Sequence, residues 1–220
     1  MLRGIVFDFD GVVVDSHPEH RRAWKALFAS LGKEVTDSDL ELVAEGGKRQ
    51  DILRHFLGEL TDEQVRDYGE QKEALRKSQA EQPATIPGLL PLLAQIEAAG
   101  LPMAVASSGS GSRIAHTLQQ LNLKHYFQFA LAGEDVSKGK PDPAIFQLAA
   151  ARMNLAPEDI LVCEDAVFGV QAARAAGMKC LGVAPNGRES ALKSAGAEWV
   201  VADFTAVTLG ELRLLFLVPV

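Results

Sequence analysis

Short apolar runs alternate with longer segments of helical period along most of this chain. The runs Gly4–Phe9, Pro102–Ala106, Phe127–Ala132, Ile160–Cys163, Cys180–Ala184 and Trp199–Val201 are rich in Val, Leu, Ile and Phe. Unbroken apolar stretches of this length predict strands buried on both faces. Between most of them lie helix-length stretches, among them Ser112–Leu121, Pro143–Met153 and Val167–Ala176. Such alternation predicts an α/β fold, a parallel sheet covered by helices on both faces.

The rhythm breaks once. From about Ser16 to Gln82 no strand pattern is found, only amphipathic helical stretches punctuated by Gly32, Gly46-Gly47 and Gly58. This predicts an all-helical cap domain at 15–82, inserted after the first strand of a Rossmann-like core formed by 1–14 and 83–220. The two prolines of Gln82-Pro-Ala-Thr-Ile-Pro-Gly88 suit the connector that re-enters the core.

Composition narrows the partners. The chain has 220 residues, 47% apolar and 23% charged, as an ordinary folded protein does. Its net charge of -7 argues against nucleic acid and anionic membrane surfaces, which demand clustered Lys and Arg. Apolar runs such as Leu214–Val220 fall far short of the roughly 20 residues that span a bilayer. Met1-Leu-Arg-Gly leads straight into a strand pattern without the regions of a signal peptide, so a cytoplasmic location is expected. Cys163 and Cys180 both lie in apolar segments and are expected as buried, reduced thiols. A small molecule is the expected partner, and no obligate protein partner is evident.

Open parallel sheets bind ligands beyond the carboxyl ends of their strands. Here the first strand leads into Asp8-Phe-Asp10-Gly11, the second into Ser107-Ser108-Gly109, and Ile160–Cys163 into Glu164-Asp165. Lys140 occupies the loop before the helix near Pro143. If Asp8, Asp10 and Asp165 share a pocket, each pair of charges about 4 Å apart repels by on the order of 4 kcal/mol at an effective dielectric near 20. Cations are therefore required among them. An all-oxygen site suits Mg²⁺, and Lys140 adds a further charge. Together they favour a phosphate substrate, whose dianion could not otherwise approach a carboxylate. Ser107-Ser-Gly-Ser-Gly-Ser112 reads either as a turn in which Ser112 caps the next helix or as a loop whose N–H groups face an anion. It fails as a dinucleotide fingerprint, since Ile114 stands where the third glycine belongs.

In this order, Asp8-Phe-Asp10-Gly11-Val-Val-Val-Asp15-Ser16, Val105-Ala-Ser107-Ser, Lys140 in Gly-Lys-Pro-Asp-Pro, and Val162-Cys-Glu164-Asp165 followed by Gly169 resemble the four motifs of the haloacid dehalogenase superfamily. The resemblance covers essentially the whole chain and lies in the branch with a helical cap. It implies that Asp8 attacks phosphorus, while Asp10 protonates the leaving oxygen and later activates the acceptor. For that acid role the Asp10 carboxyl must rise above its ordinary value of about 3.9, and desolvation and neighbouring carboxylates are expected to lift it. The resemblance further implies Mg²⁺ on Asp8, the Asp10 carbonyl and Asp165, with Glu164 nearby. Ser107 and Lys140 would hold the phosphoryl oxygens, with Ser108 and Gly109 beside them.

In the cap, His20 and Trp24 share a helix face, Arg49 follows the Gly46-Gly47-Lys48 turn, and Lys72 lies on a later helix. Their spacing is similar to that of β-phosphoglucomutases, which keeps a hexose phosphate mutase beside the favoured phosphatase. For Trp24, with Phe28 and Leu31 on its face, core packing competes with substrate contact. A non-enzymatic phospho-receiver module fits poorly, because its phosphorylated Asp follows a middle strand and it carries no cap.

Overall fold

The computed structural model describes residues 1–40, 49–78, 82–185 and 187–217. The expected Gly46-Gly47-Lys48 turn lies outside them. A parallel sheet of six strands organises the molecule: β1 Gly4–Phe7, β2 Met103–Ala106, β3 Phe129–Leu131, β4 Ile160–Glu164, β5 Lys179–Val183 and β6 Trp199–Val201. Every strand expected from the sequence is present. The first ends two residues early, so Asp8 and Phe9 lie beyond the ladder rather than at its edge.

Alternation of side chains sorts the strands between two cores. Ile5 and Phe7 of β1, Met103 and Val105 of β2, and Leu161 and Cys163 of β4 face one apolar cluster. Val6, Ala104, Ala106, Ile160 and Val162 face the other. Both faces being buried, the strands are apolar throughout, which is why they stood out as unbroken runs. Phe7 makes edge contacts with Phe127 at 5.9 Å and Phe204 at 6.4 Å, fixing the centre of the first cluster. Cys163 and Cys180 are buried free thiols, as expected.

Strand order β3-β2-β1-β4-β5-β6 means that the chain grows outward from β1 on one side and then returns to grow on the other. The carboxyl ends of β1 and β4 flank that switch point, where such sheets form their ligand crevice.

After β1 the chain enters a helical stretch in which the described residues form α1 His17–Ser30, α2 Arg49–Leu57 and α3 Asp62–Ser78. Pro18 in the first turn of α1 sacrifices no helical hydrogen bond, and Gly32 adopts φ +73° just beyond its end. Trp24, Leu27 and Phe28 recur at helical spacing and pack with Ile52, Leu53 and Phe56 into a cluster of their own. The remaining helices, α4 Leu89–Ala98, α5 Gly111–Gln120, α6 Ala144–Met153, α7 Val167–Ala175, α8 Glu189–Ala195 and α9 Leu209–Leu214, belong with the sheet. Helix α5 starts at Gly111 with Ser110 at its cap position, so Ser112 lies within the first turn and does not cap it. No described helix is long and apolar enough to cross a membrane.

Candidate active site

Backbone pairing brings the first group of polar residues together. The Asp8 N–H extends the sheet pattern by donating to the Cys163 carbonyl at 2.9 Å, which sets Asp8 beside the Glu164-Asp165 pair at the end of β4. Asp8, Glu164 and Asp165 are buried, and one oxygen from each lies within 4.8 Å of the others. The Lys140 ammonium enters this group from the loop before α6. It donates to Asp8 Oδ1 at 2.6 Å and to Glu164 Oε1, and reaches the Ala106 carbonyl at 3.3 Å. The second Glu164 oxygen accepts from the Ala166 N–H at 3.0 Å. Gly169 leaves room for this carboxylate, into which a side chain would collide.

Charge balance in this group is incomplete. Burial pushes the Asp8 carboxyl up to about 7 although Lys140 opposes it, and Glu164 and Asp10 add to the rise. Burial likewise raises Glu164 against Lys140, and Asp165 against His17. Burial disfavours the Lys140 charge, but Asp8 and Glu164 outweigh it and hold the amine above the usual lysine range. One lysine is too little countercharge for three carboxylates in a desolvated pocket.

Asp10 has a different environment. The chain turns sharply after it through Gly11, at φ +78°, where a side chain would run into His17 and Asp165. The Asp10 carboxylate is forked by Arg113, whose Nη1 donates to Oδ1 at 2.9 Å and whose Nη2 donates to Oδ2. Ser16 also donates to Oδ1. The expectation that Asp10 is lifted is therefore overturned. Burial does push it up, but Arg113 and His20 outweigh burial and hold it well below the usual carboxylate range. Burial and the Lys72 ammonium push His20 down to about 4, so near neutrality His20 is uncharged and Arg113 supplies the countercharge.

The helical insert closes the site from above. His20 Nε2 lies 3.6 Å from Asp10 Oδ1, and its buried atom has no hydrogen-bond partner among the described residues. His20 Nδ1 pairs with Lys72 Nζ at 2.8 Å. Lys72 in turn sits 5.4 Å over the Trp24 ring, and burial pushes its amine down to about 7. Trp24 packs in the core of the insert, stacked on Phe28 at 5.5 Å inside the helical cluster, and also lines the cavity. Arg49 lies across α3, over Gly69.

The candidate catalytic, metal-binding and substrate-binding residues line one cavity of about 150 Å³: Asp8, Asp10, Ser107, Ser108, Gly109, Lys140, Glu164 and Asp165 below, His20, Trp24, Arg49 and Lys72 above. Ser107 is buried and accepts from the Gly109 N–H at 3.0 Å, holding the loop after β2 in its turn. Sequence reasoning missed Arg113, His17 and Glu73, which line the same cavity. His17 Nε2 lies 2.6 Å from Asp165 Oδ2. A signal for two of them existed. Arg113 and His17 stand in the first turns of α5 and α1, where the helix dipole disfavours cations unless an acid compensates.

Comparison with known proteins agrees with this fold. Residues 5–183 match the model of the haloacid dehalogenase-like hydrolases. Fructose-1-phosphate phosphatase YqaB of Escherichia coli K12 is 35% identical over 187 residues, covering 82% of this chain and 95% of its own. β-Phosphoglucomutase of Clostridium difficile shares the fold with a TM-score of 0.87 at 24% identity, over 98% of this chain and 97% of its own. CbbY of Rhodobacter sphaeroides, solved with xylulose-(1,5)bisphosphate, superposes with a TM-score of 0.82 at 25% identity, over 96% of this chain and 98% of its own.

Proposed function

The chain belongs to the haloacid dehalogenase-like hydrolases, and from that premise we propose that it is a Mg²⁺-dependent phosphatase of a small sugar phosphate, working through an aspartyl-phosphate on Asp8. The observation that carries this reading is the Lys140 ammonium bridging Asp8 and Glu164 at the switch point of the sheet, with Asp165 and Ser107 beside it. An Asp8 oxygen attacks phosphorus and the ester bond to the sugar oxygen breaks, that oxygen taking a proton from solvent as it leaves, since Asp10 is held as a carboxylate. Water then attacks phosphorus, the bond to Asp8 breaks, and inorganic phosphate departs. Lys140 and Ser107 hold the phosphoryl oxygens, where they offset the charge that builds up in the transition state.

The donor set fits Mg²⁺. Asp8, Asp165 and Glu164 offer only hard oxygen ligands, and their upward shifts mark a site short of positive charge. Asp8 and Asp165, with the Asp10 carbonyl, would hold the ion, and Glu164 would steady it from beside Lys140. When bound it supplies charge neutralisation for the incoming phosphate. A phosphorylated sugar is favoured by the named relatives and by the polar upper wall of His20, Lys72 and Arg49.

Asp8→Asn tests the mechanism: turnover of sugar phosphates should vanish with thermal stability retained, and residual turnover near the wild-type rate would sink it. A mutase keeps one observation in its favour, the absence of an ion pair on Arg49 among the described residues, which leaves it able to grip a second phosphate. Phosphorus NMR with Mg²⁺, β-glucose 1-phosphate and a trace of glucose 1,6-bisphosphate separates the two. A phosphatase accumulates inorganic phosphate, whereas a mutase accumulates glucose 6-phosphate.

A further inference from the structure

The geometry points to Arg113 as a positioning residue that holds Asp10 as the proton acceptor for the water that hydrolyses the aspartyl-phosphate. This rests on the reading above, in which Asp8 carries the phosphoryl group.

Arg113 is buried and engages both carboxylate oxygens of Asp10, a fork that fixes the plane of the carboxylate and not merely its charge. The guanidinium is itself held. It lies 5.3 Å from the Phe9 ring on one side and against Gly109 on the other, where any side chain would push it off Asp10. All of these contacts belong to the sheet-bearing part of the molecule. Ser16 and His20, the other groups at Asp10, belong to the start of α1 in the helical insert. Arg113 is thus the fastening of Asp10 that does not depend on where the insert sits.

The occupancy of the oxygens identifies the half-reaction. Oδ1 accepts from Ser16 and Arg113, whereas Oδ2 accepts from Arg113 alone among the described residues. A carboxylate oxygen has two lone pairs, so Oδ2 retains one that Arg113 does not use, on a residue that lines the cavity. A doubly forked carboxylate is an acceptor. As the water oxygen bonds to phosphorus, its proton passes to Oδ2. The bond from phosphorus to Asp8 breaks, its electron pair returns to the Asp8 carboxylate, and inorganic phosphate leaves.

The test compares wild type with Arg113→Ala and Arg113→Gln, using 4-nitrophenyl phosphate and Mg²⁺. Nitrophenolate departs without a proton from the enzyme, so kcat/KM reports phosphoenzyme formation and kcat its breakdown. Loss of positioning should lower kcat and KM together by about 100-fold, the scale of a ~1 Å misplacement, with kcat/KM kept within about threefold. A hydroxylamine-sensitive phosphoenzyme should accumulate. Guanidinium ion should restore kcat in Arg113→Ala and leave wild type unchanged. If kcat stays at the wild-type value, or falls in step with kcat/KM, Arg113 is structural and the inference is overturned while the aspartyl-phosphate reading stands. Absence of any phosphoenzyme in wild type as well as in the variants would overturn that reading and this inference with it.

Discussion

The two walls of the cavity are built on opposite charge balances. The lower wall gathers Asp8, Glu164 and Asp165 at strand ends with Lys140 and His17 as partners, and these three carboxyl groups are pushed up, whereas Arg113 holds the neighbouring Asp10 down. The upper wall carries Lys72 and Arg49, neither of which has an ion pair among the described residues, and burial pushes Lys72 down. One wall lacks positive charge and the other lacks negative charge. A ligand that brings a metal to the first and an anionic or hydroxyl-rich body to the second satisfies both. Rigid strand ends fix the geometry of the reacting atoms, while helices of the insert set what is attached to them.

The strongest way to break this comparison is to remove the lysine of the lower wall. Lys140→Met should cost turnover at least about 100-fold, as loss of one transition-state charge partner does. It should also cost about 3–5 kcal/mol of stability at pH 7, because a buried ion pair broken on one side leaves its carboxylates uncompensated. The sign with pH follows. Without Lys140 the acids are lifted further above their unfolded values, so the variant's native state binds more protons than the wild type's and the deficit grows as pH rises through about 7, the wild-type Asp8 value. Thermal unfolding on either side of that pH checks it, and Mg²⁺ should narrow the gap at pH 7. A deficit that is flat with pH would remove the claim that this wall is short of positive charge.

Legibility in the sequence divides along the same line. The lower wall could be read because a buried parallel strand announces itself as an apolar run, and whatever polar residue follows it must stand at the carboxyl end. That logic found Asp8, Ser107, Glu164 and Asp165 and led to the architecture. It did not find Arg113, whose contact with Asp10 spans 103 residues, or His17, whose contact with Asp165 spans 148. Neither pairing leaves a local trace beyond a cation at a helix start. The same gap produced the error over Asp10: its shift was expected from burial and other acids, and a distant guanidinium reversed it. In the insert, helical periodicity identified the face bearing Trp24 but could not tell cavity from core, since Trp24 touches both.

A smaller effect sharpens the upper wall. Lys72 is buried with its amine pushed down to about 7, so in the native state its charge is disfavoured relative to the unfolded chain. That cost is fully present below pH 7 and is relieved as pH rises from about 7 towards the unfolded value near 10.4. Lys72→Met keeps the contact with Trp24 but forfeits the His20 hydrogen bond, worth about 1–3 kcal/mol when a buried acceptor is left alone. The net expectation is a gain of roughly 1 kcal/mol at pH 7 that fades by pH 10, coupled to an approximately tenfold loss in kcat/KM for sugar phosphates. Stability and activity moving in the same direction would show that Lys72 is a structural group.

The smallest effect isolates the support behind that wall. Arg76 on α3 donates to both oxygens of Glu73, with Nε at 3.1 Å and Nη2 at 2.8 Å, and to Glu19 on α1 at 2.9 Å. The cluster ties the helix bearing Lys72 to the helix bearing His20. Burial raises Glu73, but the Arg76 hydrogen bond and charge outweigh it and leave its carboxyl below the ordinary value of 4.5. A lowered carboxylate stabilises the fold above its unfolded value and stops doing so as pH falls through the folded one. Because the pair is partly exposed, Glu73→Gln should cost only about 0.5–1 kcal/mol at pH 7, or about 1–4 °C in Tm. The difference from wild type should begin to close as pH falls below 4.5. Persistence of the full difference below that pH would mean that Glu73 acts by packing, and that the two helices are joined by their apolar cluster instead of by charge.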